Sequence, residues 1–522
     1  MKRRGLGILL SVVLVSVGAW FAAFAATPAD MLVVGVIEEV TTMDPAIDYT
    51  FGSGPLFRAA YERLVNFDSG VGQVVPELAT SWDVSVDGLT YTFHLRSGVV
   101  FHDGAAFGAS AVKKAYDRVV TINEGPAWLL KDYVREIKVV DEATVQLVLK
   151  RPFSPFLKVL SSYWAMCIPS PKAIDEHAAG ADMGKDWFRN HMVGTGAYRL
   201  AEWVEGQQIV FDRYESYWRG QNAKSAAHIV FRKFSDPTTM SLSLEKGDLD
   251  IAYGIALDQA ANLKTKAGVV VEVHNTFTTN MIAMNTQKGP LSDVRVRRAV
   301  SYAFDSTSAM AVFGGYATPL VGQVPEGLPG HDGTLPAYHY DLALAQDLLE
   351  QTSYSKGFEL EYTWVTEEPE GRGVGILLQE SLKQLGITLK ITEVTVAGHW
   401  ARISDPATTP DLANYRWGID YPDALSVLIP LYHGNYPPGV GYNISRLSDP
   451  RVNGLLDSIQ QESDDAARNS MLRDVQGLIN DDASNIWITA VPIMVALRSN
   501  VHGYLFEPAN FSSFNVHDIT KD

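Results

Sequence analysis

Cys167 is the single cysteine in 522 residues, and this sets how the chain must be held together. An intramolecular disulfide, a CxxC redox pair and a cysteine-rich zinc site are all excluded. The constraint matters because the N-terminus reads as an export signal. Lys2, Arg3 and Arg4 precede an apolar run from Leu6 to Phe24, and Ala23-Phe24-Ala25 matches an A-x-A cleavage site, so residues 1–25 are expected to be removed. The run approaches the roughly 20 residues that span a bilayer, which makes a retained anchor the alternative. No cysteine follows it, so a lipid-anchored start is excluded, and Arg3-Arg4 alone does not make a twin-arginine signal. A chain exported without disulfides has to be stabilised by its core. With 46% hydrophobic residues and 11 tryptophans there is material for two or three domains.

Removing Lys2, Arg3 and Arg4 with the leader takes the formal charge from −17 to −20. Such acidity argues against nucleic acid or an anionic membrane surface as a partner and favours solubility. Beyond the leader no stretch offers roughly 18 uninterrupted apolar residues, so no further membrane span is expected. No repeat of about 20 to 50 residues and no low-complexity linker divides the chain, so its domains must be closely joined.

Across 81–95, Trp82, Val84 and Val86 alternate with polar residues, Asp87-Gly88 follows, and Leu89, Tyr91, Phe93 and Leu95 resume the alternation. Period 2 on both sides of Asp-Gly predicts a hairpin, because glycine adopts the positive φ of a two-residue turn. A second hairpin is predicted over 137–149 around Asp141-Glu142. Between them Ser110 is placed to cap a helix with Val112, Ala115, Tyr116 and Val119 on one face. Later the pattern changes: 342–349 is helical, 358–365 strand-like, 374–385 helical and 387–394 strand-like. Strands alternating with helices predict an α/β layer with βαβ connections. A helix with breaks is expected over 452–479, ahead of the apolar stretch 486–497.

Six segments, in one order along the chain, resemble the family 5 extracellular solute-binding proteins of ABC importers. They are ELATSWDVSVDGLTYTFHLRSGVVFHDG at 77–104, VGTGAYRL from Val193, FDRYESYWRG from Phe211, GDLDI from Gly247, LSDVRVRRAVSYAFD from Leu291 and GIDYPDALS from Gly418. The resemblance implies an α/β fold of the two-lobed, type II periplasmic-binding-protein kind, with a hinge and an extra inserted α+β domain. On this chain lobe I would be 31–66, 190–276 and 490–522, the inserted domain 67–189, and lobe II 277–489. It also implies a periplasmic, non-catalytic receptor, expected as a monomer. Such a receptor closes around a short peptide or related solute and hands it to an ABC permease in the inner membrane with its ATPase subunits. Nickel chelates, opines and oligosaccharides are alternative cargoes, since a fold does not settle a ligand.

The same resemblance nominates a site. Asp420 and Trp417, in RWGIDYPD, match the aspartate that receives the ligand ammonium and the tryptophan beside it. A carboxylate facing an ammonium in a closed cleft gains Coulomb energy and charge-assisted hydrogen bonds, and an indole covers apolar ligand surface. Read without the resemblance, Asp420 is better taken as a turn residue before Tyr421-Pro422, with Trp417 as core filling. Arg372, seven residues before Gln379, matches an arginine that holds the ligand carboxylate in dipeptide-binding relatives. It also falls where a helix N-terminus favours anions. The bland alternative is a solvated charge paired with Glu367, Glu368 or Glu370. Tyr49 and Phe51, in DYTFGSGPLF, are expected as wall residues.

Other chemistries find little support. Gly371, Gly373 and Gly375 suggest a dinucleotide loop, but Ile376 stands where the last glycine of G-x-G-x-x-G is needed. The twelve histidines form no HExxH. His331 and His339 with Asp332 between them, or His399 and His433, are the candidates for a nickel-type pocket, and no metal and no cofactor is expected. No G-x-S-x-G elbow occurs, and the pairs Asp481-Asp482 and Glu367-Glu368 read as solvated charges. A secreted peptide or glycan hydrolase and a peptide-holding chaperone remain the competing functional classes.

Overall fold

The computed structural model describes residues 27–510 and 513–522, so the expected leader lies outside the described residues. Two long strands, Val269–Met284 and Asn485–Arg498, run antiparallel at the middle of a ten-stranded sheet. The 16 residues of the first reach about 50 Å, enough to cross from one lobe into the next. Their ladder is interrupted midway. Val269 to Asn275 pairs with Arg498 to Pro492, Thr279 to Ala283 pairs with Ala490 to Asn485, and the register shifts between Asn275 and Thr279. Pro492 has no N–H to give the ladder. The Thr276 hydroxyl stands in, donating to the Val491 carbonyl at 2.7 Å and accepting from the Thr278 amide at 3.0 Å. The backbone ladder between the two strands is therefore broken at this point.

On one side the sheet continues through Ile251–Tyr253, Met31–Val36, His228–Lys233, Gln208–Arg213 and Tyr198–Val204. On the other it continues through Leu412–Trp417, Glu359–Val365 and Thr388–Val394. The last two lie parallel and form the βαβ unit the sequence predicts, with helix Glu370–Gln384 as crossover. Parallel strands need cover on both faces. Along Leu412–Trp417 the side chains alternate accordingly, Leu412 entering one core while Ala413 and Tyr415 enter another. The helix starts at Glu370, ahead of the apolar pattern that begins at Val374, because its glycines press against the sheet. A Cβ on Gly371 would meet Asn414 Oδ1 at 2.6 Å, and one on Gly375 would meet the Tyr362 ring at 2.5 Å. The glycines thus serve helix–sheet packing.

The hairpin-rich block forms a separate antiparallel sheet in the order Ala79–Val84, Thr90–Leu95, Thr144–Leu149, Val134–Asp141. Both predicted hairpins are present, with Gly88 at φ 67° in the first turn. Helix Ala109–Ile122 buries Val112, Ala115, Tyr116 and Val119, as its periodicity predicts. Its cap differs from expectation. Gly108 is the N-cap, Ser110 is exposed inside the first turn, and the Glu142 carbonyl takes the Ala109 amide at 3.0 Å. A tertiary acceptor has replaced the local one. The long helix expected over 452–479 is two helices, Pro450–Gln461 and Asp465–Asp482, capped by Asp449 and Asp464.

Candidate binding site between the lobes

Two loops from opposite halves of the sheet meet across a cleft. The first, 42–53, is pinned to helix Ala109–Ile122. Arg118 Nη1 and Nη2 donate to the two carboxylate oxygens of Asp44, each at 2.6 Å, with both side chains buried. Gly125 permits the loop's close approach, since a Cβ there would lie 2.2 Å from the Ile47 carbonyl oxygen. Asp48 then turns the chain by accepting from the Thr50 hydroxyl at 2.9 Å and from the Ser53 hydroxyl. Tyr49 is thereby presented to the cleft with its ring edge-on to Trp164, centroids 4.5 Å apart.

The second loop leaves strand Leu412–Trp417 and enters helix Leu425–Tyr432. Ser426 ties it down. Its hydroxyl accepts from the Asp420 amide at 2.6 Å, and its carbonyl accepts from the Trp417 indole N–H at 3.1 Å. Asp423 anchors the far end, accepting from Lys158 Nζ at 2.7 Å, Arg468 Nη2 at 2.6 Å and the Leu425 amide at 3.0 Å.

Asp420 differs from Asp423 in its partners. It is only 6% exposed, no ion pair reaches it among the described residues, and the Tyr49 hydroxyl donates to its Oδ1 from across the cleft. Burial pushes its carboxyl up to about 7, with the Tyr49 hydrogen bond pulling the other way. Burial and the neighbouring carboxylate also push the Tyr49 phenol up.

Around Asp420 lies a cavity of about 300 Å³ walled by Tyr49, Trp128, Tyr133, Trp417, Tyr421, Tyr436 and Tyr442. The Trp417 and Tyr442 rings stand 4.8 Å apart. Asp132 adds a second carboxylate, and among the described residues no lysine, arginine or histidine lines this cavity. A further cavity of about 410 Å³ adjoins the crossing strands at Thr276, Thr278 and Pro492, with Glu38 on one side and Glu368 and Arg416 on the other. Arg416 donates to Glu370 at 2.6 Å. Burial raises Glu38, and it raises Glu368 to about 7.

Of the residues nominated from sequence, Asp420, Trp417 and Tyr49 come together at one cavity. Phe51 opens the short turn Phe51–Ser53, and its side chain lies outside the described part of the structure. Arg372 stands apart from them. It is exposed on helix Glu370–Gln384 and lines neither cavity. Arg416, not Arg372, pairs with Glu370 and faces Glu368. Gln379 donates to the Leu389 carbonyl at 2.6 Å, a bond between helix and sheet. Sequence reasoning missed Ser426, Asp423, Trp128, Tyr133 and Tyr442. The only local signal for the last is the tyrosine-, proline- and glycine-rich run YPPGVGY at 436–442.

The histidines weighed for a metal differ in their surroundings. His399 is buried with neither ring nitrogen hydrogen-bonded, and burial holds its imidazole down at about 4. His433 Nδ1 accepts from the Asn435 amide at 3.1 Å, and His331 Nδ1 lies 2.7 Å from the Val324 carbonyl. Among the described residues no group of three or more His, Cys, Asp or Glu side chains is placed to hold a metal ion.

Two half-sheets joined by two strands, with a cavity walled from both halves, make a receptor-like cleft. Residues 73–438 match the model of bacterial extracellular solute-binding proteins, family 5 Middle, and the chain belongs to that family. It is 28% identical over 506 residues to the probable D,D-dipeptide-binding periplasmic protein DdpA of Escherichia coli K12, covering 96% of each chain. It is 29% identical over 512 residues to the glutathione-binding protein GsiB of Pectobacterium atrosepticum, covering 96% of this chain and 97% of that one. Among solved structures it is similar to the ABC transporter-associated periplasmic binding protein DppA of Helicobacter pylori in complex with the peptide STSA. The TM-score is 0.77 at 26% identity, over 94% of this chain and 98% of the other. The fold is the two-lobed type II periplasmic-binding-protein fold, mixed α/β as expected. Among the described residues no helix is long and apolar enough to cross a membrane.

Proposed function

We propose that this chain is the periplasmic, non-catalytic receptor of an ABC importer that captures a short peptide or related ammonium-bearing solute and delivers it to its permease. Asp420 takes the ammonium, Trp417 and Tyr49 enclose the body of the solute, and the lobes close at the break between Asn275 and Thr279. In this reading 31–66, 190–276 and 490–522 form one lobe, 277–489 the other, and 67–189 the inserted domain. The observation that carries it is a buried carboxylate that no cation among the described residues neutralises, met across the cleft by Tyr49. A buried charge is costly until something pairs with it, so the closed cleft favours a cationic guest. Guest contacts to both lobes then bias the open–closed equilibrium, giving the permease a shape to distinguish. The relatives named for D,D-dipeptide and glutathione binding support the peptide class.

Native mass spectrometry of the purified protein, followed by a thermal-shift panel of di- and tripeptides, tests this. A bound peptide at 100 times its Kd adds about 2.7 kcal/mol of stability. Stoichiometric retention of intact peptide is the expected outcome. Turnover of the peptides would point to a hydrolase instead, and indiscriminate binding of unfolded chains to a holdase.

A further inference from the structure

One short segment of the hairpin-rich block, 153–158, is bonded to helices of the opposite lobe. The block forms one body with the first lobe, because the two share a core in which Phe93, Phe101 and Leu147 pack with Phe57, Tyr61 and Tyr198. The buried Asp44–Arg118 pair ties them as well. Helices Pro450–Gln461 and Asp465–Asp482 belong to another core, through Leu456, Ile459 and Leu472. Bonds from 153–158 to these helices therefore join the two lobes.

The Ser154 amide donates to the Gln460 carbonyl at 2.7 Å, and its hydroxyl donates to the Ile459 carbonyl at 3.0 Å. Both acceptors lie in the last turn of helix Pro450–Gln461, where carbonyls have no partner within the helix. Arg468 Nε donates to the same hydroxyl at 3.0 Å. Four residues on, Lys158 Nζ donates to Asp423 at 2.7 Å. Phe153 receives Tyr421 edge-on, centroids 6.3 Å apart. Tyr421 stands on the loop of the opposite lobe, yet it is 3% exposed and packs in the first core. Burying this ring and filling the helix carbonyls favour closure whatever the cleft holds. Neither Ser154 nor Lys158 lines the cavity around Asp420. Tyr421 and Asp423 nevertheless follow Asp420 on one loop, so the contacts that fasten the lobes also fix where the binding carboxylate stands. A receptor whose closed form is a fraction of the whole binds every solute more weakly by that same fraction.

We propose that Ser154 and Lys158 are positioning residues that set affinity without touching the solute. With Tyr421 they latch the lobes together through bonds of the chain alone, and so tighten binding of every solute by one common factor. This rests on the two-lobed reading above and not on a peptide as the cargo.

The test combines small-angle X-ray scattering of the full processed chain without added solute and calorimetry with Ala-Phe and Ala-Ala. Wild type is compared with Lys158→Met, which leaves Arg468 on Asp423, and with Ser154→Ala, which leaves the backbone bond to Gln460. Without solute each variant should have a larger radius of gyration than wild type, and saturating Ala-Phe should restore the wild-type value. Both dipeptides should bind more weakly by the same factor, about tenfold for Lys158→Met. Equal radii for wild type and variants without solute overturn the latch. Unequal losses for the two dipeptides overturn the common factor and make these residues part of selectivity. A loss of unfolding stability with radius and affinity unchanged overturns the proposal in favour of a merely structural role. If neither dipeptide binds, the peptide reading fails, and the scattering alone decides the latch.

Discussion

Asp420 and Asp423 stand three residues apart on one loop, both buried, and the chain treats them oppositely. Asp423 receives Lys158 and Arg468 at 2.7 and 2.6 Å. Burial alone would lift its carboxyl, but the two cations outweigh it and bring it down to about 2. Among the described residues the Asp420 carboxylate receives only the Tyr49 hydroxyl, and burial lifts it to about 7. The first charge is balanced inside the fold and holds the loop to the neighbouring helices. The second is left unbalanced, at a cost in stability, where a guest can balance it. Equal burial therefore does not mean equal role; the partners decide.

The sharpest way to break the comparison is to exchange the consequences of losing each carboxylate. Asp423→Ala strands two cations around a buried gap and should cost about 3–5 kcal/mol in urea unfolding. Asp420→Ala removes no internal ion pair. Its unfolding free energy should hold or rise, while affinity for a cationic solute falls by about 2–5 kcal/mol in calorimetry. A large stability loss from Asp420→Ala would erase the distinction.

Acid and base sharpen it further, since the two shifts have opposite signs. Asp423, ionising at about 2 in the fold and near 3.8 when unfolded, contributes stability that is present above pH about 4 and lost as the pH falls through 2. Asp420, at about 7 in the fold, holds a proton that the unfolded chain has already released. The ligand-free protein should therefore lose stability as the pH rises from about 4 to 7, a loss that vanishes in Asp420→Asn. Cation binding requires the ionised form, so affinity should climb up to about tenfold per pH unit below about 7 and level off above it. Calorimetry in two buffers of different ionisation enthalpy should register protons released on binding in that range. The smallest effect is expected from Tyr49→Phe, which deletes the one hydrogen bond to Asp420 Oδ1 and should change affinity by about 1 kcal/mol. Because that bond favours the ionised form, its loss should move the pH profile of binding upward.

Much of the fold was legible locally. The alternation across Asp87-Gly88 is a property of adjacent residues, and so is the switch from period 2 to helical spacing around the βαβ unit. What escaped was set by distant neighbours. Ser110 lost its role as cap to Gly108 because the Glu142 carbonyl reached the Ala109 amide. Helix Glu370–Gln384 started early because Tyr362 and Trp364 leave room only for glycine beside them. At the site, Asp420 and Trp417 were visible through a motif that keeps them close in sequence. Trp128 and Tyr133 were not, since nothing local marks aromatic residues that meet only across a cleft, and for Tyr442 the run at 436–442 marks a loop but not what it meets. Arg372 lies apart from them, although its surroundings in sequence, glycines and glutamates at a helix start, are those of an anion site. In the fold the neighbouring Arg416 makes the ion pairs.

The sequence by itself determined that no disulfide holds this chain, that hairpins and βαβ units alternate along it, and that it carries the ordered segments of a solute-binding family. Those are statements about composition, short-range periodicity and motif order, which a chain possesses before it folds. Only the tertiary structure decided that Asp420 would be the unbalanced carboxylate and Asp423 the balanced one. Lys158 and Arg468 reach Asp423 from 265 and 45 residues away, and Tyr49 reaches Asp420 from 371. Burial and Coulomb pairing depend on distances in space, so the same residue type on the same loop acquires its charge state from its packing.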